Sequence, residues 1–292
     1  MANKDVRTKN MQTSLRKIIF ILISLLMLFS EFQFEVFAKK NENLVTKDII
    51  LTNINNINIT NDSTKNFKAL EELIINKKPK AIYLEQWITL EPHNKKLLSK
   101  LKKFTKKNKI KFYLVIGKNT WFGDRGVTNG KAAFNFYEKY VDGIVLRLEP
   151  NKTNVWKDDV AIKAQILNLM MDSYATLFLE AKKRSKQFLV EYPFWFSDFN
   201  GPIKTFPQDT CEYSDKIIFL IDDLKKLEEL QIKWNDVPCM YSINLTKRAL
   251  NQPDDSLYEI YKKLKSKLTL YANFSGYIVD SDSFLLKLSK LE

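Results

Sequence analysis

The residues best placed to do chemistry are carboxylates that end apolar runs. Gly143-Ile144-Val145-Leu146-Arg147-Leu148 leads into Glu149, and Arg147 lies two residues earlier, on the same side of an extended chain. Further along come Glu85-Gln86-Trp87, Glu191-Tyr192-Pro193-Phe194-Trp195, Asp222-Asp223 and Asp280-Ser281-Asp282, with Trp121 and Trp156 between the runs. Two carboxyl groups facing one another across a sugar can cleave it, one as general acid and the other as base or nucleophile. Aromatic rings beside them offer flat surfaces for the C–H faces of the sugar. On this reading Glu149, Glu191 and Asp222 are the catalytic candidates. Arg147, Glu85, Trp87, Trp121, Trp195, Tyr192, Asp280 and Asp282 are the substrate-binding candidates. Plainer roles compete: Trp195 caps a core, Asp222-Asp223 caps a helix before Leu224, or Glu85 pairs with a surface lysine. Arg147 is the awkward member. A cation near a carboxyl favours its ionised form and works against a general acid. The pair then holds Glu149 as an anion, or the arginine grips an acidic sugar or phosphate.

Short apolar runs alternate with amphipathic ones. The strands expected are Asp48–Thr52, Ala81–Glu85, Lys111–Ile116, Gly143–Glu149, Gln187–Glu191, Lys216–Ile221, Pro238–Ile243 and Gly276–Asp280. They lack strict polar/apolar alternation, which suits a parallel sheet covered on both faces. Helical spacing appears at 67–74, 97–104, 161–183, 224–230, 257–268 and 284–291. The stretch 195–215, with Gly201, Pro202 and Pro207, reads as a long loop or short helix. Eight such units predict an α/β fold, a single (β/α)8 TIM barrel, in which the chemistry gathers at the C-terminal ends of the strands. A doubly wound open sheet is the alternative, but it has no use for the eighth strand. No repeat or linker marks a second domain.

The first 38 residues read as a signal peptide or an uncleaved N-terminal anchor, and 39–292 as the barrel. Lys4, Arg7, Lys9, Arg16 and Lys17 precede a twelve-residue apolar run, Ile18 to Phe29, and Val36-Phe37-Ala38 suits cleavage. An exported protein, periplasmic, secreted or at the cell surface, is expected, with membrane contact only through an uncleaved segment. Of 292 residues, 47 are Lys or Arg and 34 are Asp or Glu, a formal charge of +13. Removing five basic and three acidic residues with the leader leaves +11. Such a charge favours a carbohydrate or other anionic surface polymer as partner, although solvated lysine-rich helices explain much of it. Nothing has the aromatic interleaving of a nucleic-acid reader, and a monomer is expected. One histidine, His93, excludes multi-histidine zinc sites, and seven glycines form no phosphate-binding motif, so neither cofactor nor metal is expected. Cys211 and Cys239 leave a disulfide open, since sequence does not show whether their geometry permits one.

Asp142-Gly143-Ile144-Val145-Leu146-Arg147-Leu148-Glu149 resembles the DGxDxDxE strand of chitinase-type glycosidases. It is more similar still to exported bacterial glycoside hydrolase-like barrels with a strand of the form DGIHLDIEP. Val190 to Phe196 resembles their fifth strand and its PFW loop, Ser214 to Leu220 their sixth strand, and Phe274 to Val279 the start of their last. The resemblance covers the second half of the chain after the leader and implies a secreted enzyme acting on a surface or cell-wall glycan. The departures point elsewhere. Val145 and Arg147 occupy the middle acidic positions, Leu220-Ile221-Asp222 replaces Met-x-Tyr, and Asn244 stands where relatives tend to carry a carboxylate. They imply a degenerate barrel that binds without hydrolysis.

Overall fold

The computed structural model describes residues 46–51, 68, 71–72, 74–75, 79–85, 92–117, 119–199, 204–222, 237–245 and 273–280. All belong to the unit Val45–Glu292. The strands are β1 (Thr46–Leu51), β2 (Ala81–Glu85), β3 (Lys111–Ile116), β4 (Gly143–Arg147), β5 (Gln187–Pro193), β6 (Lys216–Ile221), β7 (Tyr241–Leu245) and β8 (Phe274–Asp280). Each pairs in parallel with the next, and β8 pairs with β1. The helices described in full serve the β2–β6 part of this ring. They are α1 (Pro92–Lys107), α2 (Gly123–Tyr137), α3 (Val160–Lys183) and α4 (Phe206–Glu212). The anticipated signal peptide and the segments 224–230, 257–268 and 284–291 lie outside the described residues.

Strand pleat sorts the side chains into two cores. Ala81, Tyr83, Tyr113, Val115, Val145, Leu189, Ile218 and Ile278 fill the inside of the ring. The alternate positions, such as Ile82, Leu84, Phe112, Ile144, Leu146, Phe188, Val190 and Tyr192, pack outward against the helices. This two-sided burial is why the strands read as continuous apolar runs. β7 starts later than expected: Pro238 has no N–H to give a ladder, and pairing begins at Tyr241.

α2 was not among the expected helices, because Gly123, Gly126 and Gly130 argue against one. The structure shows their use. A Cβ on Gly130 would sit 2.6 Å from Leu177, and one on Gly126 would sit 2.4 Å from the Trp121 carbonyl and 3.2 Å from Ser173 Oγ. Small residues let α2 lie close against α3. α3 itself starts from Asp159, whose carboxylate accepts from the amides of Ala161 (2.8 Å) and Ile162 (3.1 Å). The stretch 195–215 resolves into a 3-10 turn, Phe194–Asp198, and α4.

At the N-terminal end of the ring, two aspartates join neighbouring strands. Asp142 accepts from the Phe112 amide at 2.9 Å and pairs with Lys102. Asp215 accepts from the Phe188 amide at 2.9 Å and pairs with Lys182. Asp142, one of two acidic positions shared with the chitinase-type strand, therefore sits at the end of β4 remote from Glu149. Cys211 and Cys239 form a disulfide with Cα atoms 5.4 Å apart, tying α4 to the entry of β7.

Candidate functional site

Residues two apart on a strand share a face, so the parity that sends Tyr83, Val145 and Leu189 into the ring also sends Glu85, Arg147 and Glu191 there. These three lie one step beyond the apolar interior, toward the C-terminal mouth. The register sets Arg147 beside Glu191. Asn244 joins from β7, where it is paired with Ile278 of the interior core.

A closed polar layer results. Arg147 donates from Nε to Glu191 Oε2 at 2.5 Å and from Nη1 to Glu85 Oε1. Asn244 Nδ2 donates to Glu191 Oε1 at 2.6 Å. Both Glu191 oxygens are thus engaged, and its side chain is 1% exposed. Arg147 and Glu85 keep a little access to the mouth, at 21% and 16%. Burial opposes the guanidinium charge, but the adjoining Glu191 and Glu85 carboxylates outweigh it and hold the Arg147 pKa above its ordinary value. Glu191 and Glu85 both bond to Arg147, so the arginine is no isolated positive charge awaiting an acidic ligand.

Gly117 at the top of β3 makes room for this arrangement. It adopts φ +129°, and a Cβ there would fall 2.2 Å from the Arg147 carbonyl oxygen.

Glu149 stands apart. β4 ends at Arg147, and the chain turns into a 3-10 turn, Pro150–Lys152, that Glu149 precedes with φ −128° and ψ 66°. Its carboxylate pairs with Lys152 Nζ at 2.5 Å and is 13% exposed. Of the two alternatives open for Arg147, pairing with Glu149 does not form; the arginine reaches across to β5 and β2. Asp222 follows β6 and is exposed.

The rings divide into two groups. Trp195 lies in a half-buried cluster with Phe196 (4.6 Å between ring centroids), Trp156 (5.9 Å) and Phe199 (5.9 Å). Trp121 is half-buried against the outer core. Tyr192 does not join the mouth. It points outward from β5, fully buried against Phe196, Phe206 and Phe219, and burial pushes its hydroxyl pKa up. Trp87 and Asp282 lie outside the described residues, as does the side chain of Asp280, whose backbone ends β8. Asn244 was legible only as a departure at a strand tip; its amide proves to complete the carboxylate layer. Among the described residues no cluster of His, Cys, Asp or Glu could hold a metal ion.

The fold is shared with a chitinase. The enzyme of Chromobacterium violaceum superposes with a TM-score of 0.52 at 9% identity, over 85% of this chain and 99% of its own. The C-terminal domain of a chitinase candidate from Desulfitobacterium hafniense gives 0.50 at 10% identity, over 69% and 66%. An agarase gives 0.46 at 10% identity, over 75% of this chain and 43% of its own. The chain therefore spans less than two thirds of the agarase and of the Desulfitobacterium domain. No family model and no curated protein matches the sequence. At these identities the likeness is one of fold.

Proposed function

We propose that the chain is an exported, complete (β/α)8 barrel of glycoside hydrolase-like type that binds a surface or cell-wall glycan at its C-terminal mouth and does not cleave it. One observation carries this reading: Arg147 bonds to both Glu85 and Glu191. Glycoside hydrolysis needs one carboxyl free to give a proton and a second free to attack or to activate water. Glu191 has both oxygens occupied and almost no access, and Glu85 is held by the same arginine. The Arg147–Glu85 pair keeps partial exposure, at 21% and 16%. It places N–H donors beside carboxylate oxygens, a pattern that suits sugar hydroxyls, which both donate and accept.

A second reading, hydrolysis with Glu149 as acid/base, is favoured by its place outside the arginine layer. Among the described residues a single half-exposed lysine holds it.

The two readings separate in one assay. The full chain is incubated with a panel of wall-derived oligosaccharides, with binding measured calorimetrically and products by chromatography. Binding with no product, unchanged by Glu149→Gln, is expected. Product formation abolished by Glu149→Gln would establish the hydrolase instead.

A further inference from the structure

The basic charge of this protein is concentrated in one place. Between Pro92 and Lys111 there are nine lysines and no acidic residue, so twenty residues supply +9 of the total +13. Most of that segment is α1. At 100° per residue its Lys95, Lys96, Lys102, Lys103, Lys106 and Lys107 fall within an arc of about 140°. Leu97, Leu98, Leu101 and Phe104 occupy the opposite side and are buried in the core. Lys102 is taken by Asp142. Lys96, Lys103, Lys106, Lys107, Lys109 and Lys111 are exposed and make no ion pair among the described residues. Lys96, Lys103, Lys106 and Lys107 line one face of α1 over about 17 Å, and Lys109 and Lys111 follow in the turn after it and at the start of β3.

Helix stability accounts for only part of this stripe: Lys106 and Lys107 lie in the last turn, where cations are favoured. Lys103/Lys107 sets like charges one turn apart, which is destabilising. Lys95 and Lys96 stand near a helix N-terminus that favours anions, and the first turn has no acidic residue. Just past the helix, Lys109 adopts φ +57°, where glycine is preferred. Rules broken together in favour of one charge point to function.

We propose that this face binds a linear polyol-phosphate polymer, one phosphate per repeat and no bases, at a site separate from the barrel mouth. Lysine, a hydrated point charge on a flexible stem, suits phosphates of loose spacing better than planar bidentate recognition. A bilayer is disfavoured because interfacial helices turn apolar side chains to lipid, and here those side chains are in the core. A nucleic acid is disfavoured because residues 92–111 hold no arginine, and their one phenylalanine, Phe104, is buried.

The test uses the full chain and fluorescent poly(glycerol phosphate) of about 20 repeats, titrated between about 50 and 200 mM salt. Six contacts predict a log–log salt slope near −4, and K96Q/K103Q/K106Q/K107Q reduces it to about −1.4. That variant loses at least tenfold in affinity at the lowest salt, keeps its melting temperature and retains oligosaccharide binding at the mouth. A charge-matched control, K131Q/K139Q/K157Q/K183Q, loses less than threefold. Equal losses in the two variants would overturn the proposal, because net charge would then suffice. Tenfold tighter binding to an oligothymidylate of equal charge, or to vesicles containing phosphatidylglycerol, would also overturn it.

Discussion

Arg147 determines what the mouth can do, and its role shows both the reach and the limit of the sequence. Period two along β4 set it on the same side as Glu149, yet β4 ends at Arg147 and Glu149 is not its partner. Parity tells which side a residue faces. Partners across strands depend on register, which here brings Glu191 and Glu85 within reach. Removing one partner from a buried ion network leaves an uncompensated charge, which costs about 3–5 kcal/mol. Arg147→Met is accordingly expected to lower stability by about that amount in a denaturant titration, because Glu191 is sealed beside it. Replacing Arg147, Glu85 and Glu191 together by apolar residues of similar size is expected to recover most of the loss. If the single substitution proves neutral, the three groups are not coupled as described. Asn244→Leu strips one hydrogen bond from a buried carboxylate and is expected to cost about 1–3 kcal/mol.

At the scale of elements, the strands were the most legible part. Their apolar runs are dictated by burial on both faces, and β2, β3 and β6 match their expected bounds. α2 was hidden for the opposite reason: its glycines oppose helix formation locally and are explained only by the helix packed against them. Gly130→Ala tests that explanation. Helix propensity alone predicts a gain of about 1 kcal/mol. The 2.6 Å approach to Leu177 predicts overpacking, at about 1–3 kcal/mol, so a net loss is expected in thermal unfolding. Lys109→Gly should act in the other direction. It relieves a positive φ just past α1 and is expected to gain up to about 1 kcal/mol while weakening polyanion binding.

For the whole molecule, the Cys211–Cys239 bridge closes a loop of 28 residues late in the ring. In the chain-entropy account such a loop is worth about 3–4 kcal/mol. The C211S/C239S variant is expected to melt about 7–14 °C lower, as measured by calorimetry. The cysteines were visible in the sequence, but their pairing depended on bringing α4 against the entry of β7, which no local pattern encodes. The same holds for the mouth. Carboxylates at strand tips could be read directly, whereas their capture by a single arginine depended on β4 lying beside β5 and within reach of β2 across β3. The most direct measurement is a crystal of the full chain soaked with a wall-derived oligosaccharide. We expect an intact sugar above the Arg147–Glu85 edge, with Glu191 still bonded to Arg147 and Asn244. A cleaved sugar, or Glu191 released from Arg147 and turned toward the glycosidic oxygen, would contradict the account.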